Sequence, residues 1–112
     1  MTSQSPLIQL DEWPAGDFAE AEGLVEGIHS SILLYRQGDT VRGYLNTCPH
    51  AGRRLDWSPG QFLATKDGLL VCAAHGASFR MDDGECVAGP CRGEALLSVA
   101  VEVRDGGVYL AP

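Results

Sequence analysis

Two short pairs of ligand-type residues constrain this chain more than any other feature: Cys48-Pro49-His50 and Cys72-Ala73-Ala74-His75, with 21 residues between His50 and Cys72. Thiolates are soft, electron-rich metal ligands, and neutral imidazoles complement them. If both pairs serve one centre, the fold must bring two separate loops together. The segments ahead of the pairs, Val41–Leu45 and Leu69–Val71, read as short strands. Each pair then occupies a loop at a strand end, and adjacent strands would present two thiolates and two imidazoles to one metal.

Other segments extend the β pattern. Ser31–Arg36 and Val41–Leu45 flank Gln37-Gly38-Asp39-Thr40, a hairpin signal. Ala77–Met81 and Glu85–Val87 flank Asp82-Asp83-Gly84, a second one. Leu97–Val103 alternates with period two and turns at Asp105-Gly106-Gly107 into Val108–Leu110. Two stretches have some helical character. Asp17–Val25 is interrupted by Gly and suits a strand at least as well; Ser58–Thr65 has room for one turn after Pro59. Short strands with closely spaced turns predict an all-β sandwich or barrel, a single domain over residues 1–112.

Charge and composition exclude several functions. With 8 basic and 15 acidic side chains the net charge is −7, the wrong sign for a nucleic-acid binder. No apolar run approaches the ~20 residues that span a bilayer. The start, Met1-Thr2-Ser3-Gln4-Ser5-Pro6, has neither a basic nor an apolar signal region, so the expectation is a cytoplasmic protein without membrane contact. In that compartment four cysteines point to metal or redox chemistry before disulfides. No nucleophile elbow, phosphate-binding Gly loop, dinucleotide fingerprint or spare 2-His-1-carboxylate set is present, so no catalytic residue is expected.

A donor set of two Cys and two His suits tetrahedral zinc, or a [2Fe-2S] cluster with cysteines on one iron and histidines on the other. Zinc fingers usually pair like ligands, as C-x-x-C and H-x-x-x-H, which these pairs do not. Both metals stay open on the donor set alone, and a zinc-stabilised β interaction module is the alternative reading.

The sequence resembles Rieske-type [2Fe-2S] proteins, whose signature is C-x-H followed by C-x-x-H. Cys48-Pro49-His50-Ala51-Gly52-Arg53-Arg54-Leu55 is similar to the first cluster loop, and Cys72-Ala73-Ala74-His75-Gly76-Ala77-Ser78-Phe79 to the second. Asp83-Gly84-Glu85 and Gly89-Pro90 resemble the family's hairpin and the proline loop over its cluster. The resemblance runs from about residue 7 to 110. It implies an antiparallel β-sandwich or barrel with a small cluster-binding subdomain, about residues 46–91, built from two loops. It also implies that Cys48 and Cys72 hold the buried iron and that His50 and His75 hold the outer one. The implied function is a one-electron carrier between a flavin reductase and an oxygenase; a redox-sensing or regulatory subunit with the same cluster is a further alternative. The gap between the pairs is longer than in most small relatives, which makes Asp56–Asp67 the implied insertion.

High-potential members of that family carry an extra cysteine in each loop, joined as a disulfide. The matching positions here are Arg53 and Ala74. Those members also place a Ser and a Tyr after the second histidine, donating to cluster sulfurs; here Ala77 and Phe79 stand there. Donors to sulfur favour the more negative reduced state, so their loss implies a potential near −150 mV, the bottom of a range reaching roughly +300 mV. Ser78 is a substitute donor that strand alternation turns away.

The remaining candidates have plain readings. Cys86 and Cys91 read as two small, partly buried thiols rather than a second redox pair or a disulfide clamp, and His29 as a surface or loop histidine. Trp13, Trp57, Phe62 and Tyr44 read as packing residues rather than an electron relay. Arg53 and Arg54 suit partner steering, cluster tuning or simply a solvated pair. Residues 1–35 hold six acids (Asp11, Glu12, Asp17, Glu20, Glu22, Glu26) and no Lys or Arg. They read as a solvated face, or as an acidic end, set apart from the ligand loops, that orients a partner's approach.

Overall fold

The chain is seen here in a computed structural model, which describes residues 5–14, 16–49, 54–72, 76–89 and 92–111. The described residues form three antiparallel sheets. The longest strands are β2 (Phe18–Val25), β3 (Ile28–Gln37) and β4 (Thr40–Leu45). With β9 (Ser98–Val99) they make the middle sheet, in the order β2-β3-β4-β9. On one side lies a sheet ordered β1-β11-β10, from β1 (Ile8–Gln9), β10 (Val101–Arg104) and β11 (Gly107–Leu110). On the other lies β5-β6-β7-β8, from β5 (Leu63–Ala64), β6 (Leu70–Val71), β7 (Ser78–Phe79) and β8 (Cys86–Ala88).

The run Ile32-Leu33-Leu34-Tyr35 explains the layering. A strand with one wet face alternates apolar and polar residues, whereas one buried on both faces is apolar throughout. Ile32 and Leu34 join Ala19, Ala21, Val99 and Val108 in the core against the β1-β11-β10 sheet. Leu33 and Tyr35 join Tyr44, Leu70, Phe79 and Cys86 in the core against the β5–β8 sheet. β3 is thus the shared wall of two cores.

The three expected hairpins form, with β3–β4 closing at Gly38-Asp39 and β10–β11 at Asp105-Gly106. The hairpin β7–β8 carries a bulge between Ser78 and Phe79. Asp17–Val25 settles as a strand, its Ala19 and Ala21 packing inward with period two. Two expectations need correction. Leu97–Val103 is two strands, because Ala100 is the corner where the chain leaves β4 for β11. Ser58–Thr65 makes no helical turn. The Gln61 N–H donates to the Ser58 carbonyl (2.8 Å) in a tight turn, and Phe62 then packs on Phe18, with ring centroids 5.9 Å apart. That contact draws Leu63–Ala64 onto β6. A short 3-10 turn over Leu10–Glu12 has no capping side chain to mark it in the sequence. Among the described residues, no helix is long and apolar enough to cross a membrane.

Because β3 serves both cores, truncation on either face should be costly. Leu33→Ala and Leu34→Ala are each expected to lower unfolding free energy by about 2–5 kcal/mol in urea titrations.

Candidate metal centre

The first ligand loop leaves β4 and is closed by one buried side chain, Asn46. Its backbone N–H donates to the Ser31 carbonyl (3.0 Å), and its Nδ2 donates to Ser31 Oγ (3.1 Å). Its Oδ1 accepts from the Leu55 N–H (3.0 Å), nine residues on. This bond joins the two ends of the segment that carries Cys48. The loop's far end is anchored again by Arg54 and Asp56. Arg54 Nε and Nη2 donate to the two carboxylate oxygens of Asp56 at 2.9 and 2.7 Å, a fork-to-fork pair. Nη2 also donates to Glu20 Oε2 (2.7 Å), which accepts from Ser31 Oγ as well (2.6 Å).

The second ligand loop turns between β6 and β7. The Cys72 N–H donates to the Ala77 carbonyl (2.7 Å) and the Gly76 N–H to the Cys72 carbonyl (2.8 Å). Gly89, which precedes Pro90, runs against this loop; a Cβ there would lie 2.7 Å from Ala77 Cα. Only glycine permits that approach.

Cys48 and Cys72 are both fully buried and lie in one apolar core with Leu33, Leu55, Leu70 and Phe79. Two soft donors thus enter one water-poor region from two loops, as the donor chemistry of a thiolate-bound metal requires. His50 and His75 lie outside the described residues, as do Arg53, Ala74, Pro90 and Cys91. Among the described residues no group of three or more His, Cys, Asp or Glu gathers as a metal site. Ala77 and Phe79 are fully buried, and neither has a hydroxyl to donate; Ser78 between them is only partly buried.

Electrostatics sharpen the picture of the first loop. Burial by itself pushes the Asp56 carboxyl up. The hydrogen bonds from Arg54 and the Gly60 N–H, with the Arg54 charge, more than offset this and hold it below the usual carboxylate range. The Arg54 guanidinium is raised, first by its bond to Asp56 and then by Glu20. Arg54 is therefore an anchor, not half of a solvated pair. Glu20 corrects the expectation of a solvated acidic face, since its side chain is only 17% exposed and ties the N-terminal segment to the first ligand loop.

The other candidates mostly pack as expected. Cys86 is buried and its Sγ donates to the Ala88 carbonyl (3.2 Å). His29 is exposed on β3, 3.4 Å from Glu22. Tyr44 is buried and its hydroxyl donates to the Met81 carbonyl (2.8 Å). Trp13 packs on the core beneath Arg36, while Trp57 departs from the packing expectation at 59% exposure. Asn46 was missed: its one signal is a polar residue closing a strand two positions before a ligand-type Cys.

The described residues thus form a small, nearly all-β protein with two buried cysteines, from two loops, in one core. The model of the Rieske [2Fe-2S] domain family matches residues 6–103, and the chain belongs to that family, whose cofactor is a [2Fe-2S] cluster. No curated protein matches the chain. Among solved structures it is similar to the ferredoxin of carbazole 1,9a-dioxygenase from Nocardioides aromaticivorans IC177, at 23% identity and TM-score 0.74, covering 99% of each chain. It is also similar to a chain in a complex of reduced oxygenase and oxidized ferredoxin in carbazole 1,9a-dioxygenase, at 25% identity and TM-score 0.71, covering 97% of this chain and 100% of that one. The terminal oxygenase of the Nocardioides enzyme matches at 24% identity and TM-score 0.71. The present chain spans only 30% of that oxygenase chain.

Two outcomes follow from the loop anchors. Asn46→Ala strands the buried Leu55 N–H and should cost about 1–3 kcal/mol by chemical denaturation. Asp56 has a lowered folded pKa, so its contribution is present above its unfolded value of about 4 and is lost as pH falls through the folded value. Acidification should therefore destabilise the wild type more than Asp56→Asn, as read from urea midpoints at neutral and acid pH.

Proposed function

We propose that this chain is a Rieske-type ferredoxin, a one-electron carrier rather than an enzyme, with residues 1–112 acting as one domain and about 46–91 as its cluster-binding part. In this reading Cys48 and Cys72 hold the inner iron of a [2Fe-2S] cluster, and His50 and His75 hold the outer one. The observation that carries it is the delivery of Cys48 and Cys72, from two separately anchored loops, into one buried core. When bound, the cluster supplies Fe(III)/Fe(II) exchange without bond making.

The chain's own residues do the rest. Leu33, Leu55, Leu70 and Phe79 exclude water from the cysteine side. Asn46 and the Arg54–Asp56 pair hold the first loop at both ends, and Gly89 backs the second. Ala77 and Phe79 withhold hydroxyl donors from the sulfurs, which keeps the potential near the low end of the Rieske range. The electron source is a flavin reductase and the acceptor an oxygenase. Likeness to the ferredoxin of a carbazole dioxygenase, and to a chain in a ferredoxin–oxygenase complex, supports that placement.

The purified protein should be red-brown, with two irons and two acid-labile sulfides per chain. A colourless, zinc-loaded protein would establish the interaction-module reading instead. Cys48→Ser and Cys72→Ser should each abolish the visible spectrum. A redox titration should place the midpoint near −150 mV, and Phe79→Tyr should raise it. A midpoint above about +100 mV in the wild type would contradict the reading of a donor-poor site.

A further inference from the structure

The β2–β3 hairpin outruns its sheet. β3 pairs with β4 only from Ile32 onward, and Asn46 meets Ser31 as the chain turns toward Cys48. Beyond that level the hairpin continues through the pairs Gly23–Ser30, Leu24–His29 and Val25–Ile28. At ~3.3 Å per residue, it projects about 10 Å past the start of the first ligand loop.

Alternation fixes which way this extension faces. Ala19, Ala21 and Val25 pack toward the β1-β11-β10 sheet. A Cβ on Gly23 would come within 3.0 Å of Leu7 Cδ2 and 3.3 Å of Leu110 Cδ1, so the hairpin is braced from behind. Phe18 faces the opposite core and Glu20 reaches Arg54 on that same side. Glu22 and Leu24 continue that face, with Ser31 and His29 opposite them. There the cover ends: Leu24 is 62% exposed, and the Glu22 and His29 side chains 59% and 69%.

Charge says what would cover this face. Glu22 and Glu26 lie on a segment of 35 residues without Lys or Arg. Arg54, beside the lower part of the face, is already engaged by Glu20 and Asp56. The result is a ledge, acidic with an apolar centre at Leu24, next to the first ligand loop.

We propose that Glu22, Leu24 and His29 form a docking ledge for the redox partner, a protein with basic side chains around an apolar spot beside its own electron port. This rests on the ferredoxin reading above. Leu24 is the anchor, and Glu22 and Glu26 orient the approach.

The test uses the dithionite-reduced holoprotein in stopped flow. The acceptors are cytochrome c, a basic haem protein, and separately ferricyanide, a small anion. One electron passes in each encounter: the acceptor's Fe(III) becomes Fe(II), the reduced protein returns to its oxidised form, and no atom is transferred. The double variant Glu22→Gln, Leu24→Ser should slow cytochrome c reduction roughly tenfold at low ionic strength. Added salt should narrow the gap. Its midpoint potential should match the wild type, and its ferricyanide rate should not fall. Asp39→Asn, in the turn at the far end of β3, should leave all three readouts unchanged. Equal cytochrome c rates for wild type and ledge variant would overturn the ledge, as would an equal loss in Asp39→Asn, which would make net charge the sole cause. A wild-type protein with no reducible [2Fe-2S] centre would overturn the ferredoxin reading, and the ledge with it.

Discussion

The segment that carries Cys48 depends on one buried side chain, Asn46. A loop that leaves a strand with a buried Cys near its start needs anchors beyond that strand's own ladder. Asn46 meets that need from within the β4 exit. Its carbonyl oxygen takes the Leu55 N–H, while its two N–H groups tie it to Ser31 on β3. A buried amide is tolerable only when its hydrogen bonds are made, so the same bonds that fix the loop also make the burial possible. Ser31 in turn donates to Glu20, and Glu20 accepts from Arg54. The loop from Asn46 to Asp56 and strands β2, β3 and β4 are thereby joined in one hydrogen-bonded unit.

Much of this was legible in the sequence, for physical reasons. Period-two patterning and Gly-Asp turns mark hairpins because side-chain direction and positive backbone angles are local properties. The two Cys/His pairs announced strand-end loops because Val41–Leu45 and Leu69–Val71 precede them. Local pattern does not reveal where a strand changes sheets. Leu97–Val103 keeps its alternation through Ala100 even though its two halves hydrogen-bond to different partners. It does not reveal cross-strand register either. Glu20 looks like any other acid of the N-terminal segment until β2 is laid beside β3 and the Arg54 loop comes down over that face. The family resemblance pointed to Cys48, His50, Cys72 and His75 as ligands; the anchors near Cys48, Asn46 above all, lie in a polar network that only tertiary structure assembles.

That network also revises the meaning of the acidic N-terminal segment. The charge is not held at an end remote from the ligand loops. Glu20 is consumed in structure, half-neutralising a cation at the base of the first loop, while Glu22 and Glu26 stay free of any Lys or Arg on their own segment. Strand β2 thus divides its carboxylates between holding the loop and facing the solvent beside it, according to whether Arg54 reaches far enough to pair with them.

The pairing of the first strand with the last has a consequence for how the protein is made. Ile8 is opposite Val108, and Val99 and Val108 complete the core beneath Ile32 and Leu34. The cysteine-bearing sheet, residues 63–88, leaves the ribosome before β9, β10 and β11 do. Until those strands emerge, the wall formed by β3 has only one of its two cores to support it. The core that shelters the two cysteines needs no residue beyond Leu96, so the thiols can be covered while the opposite face of β3, with Ile32 and Leu34, still waits for the last strands.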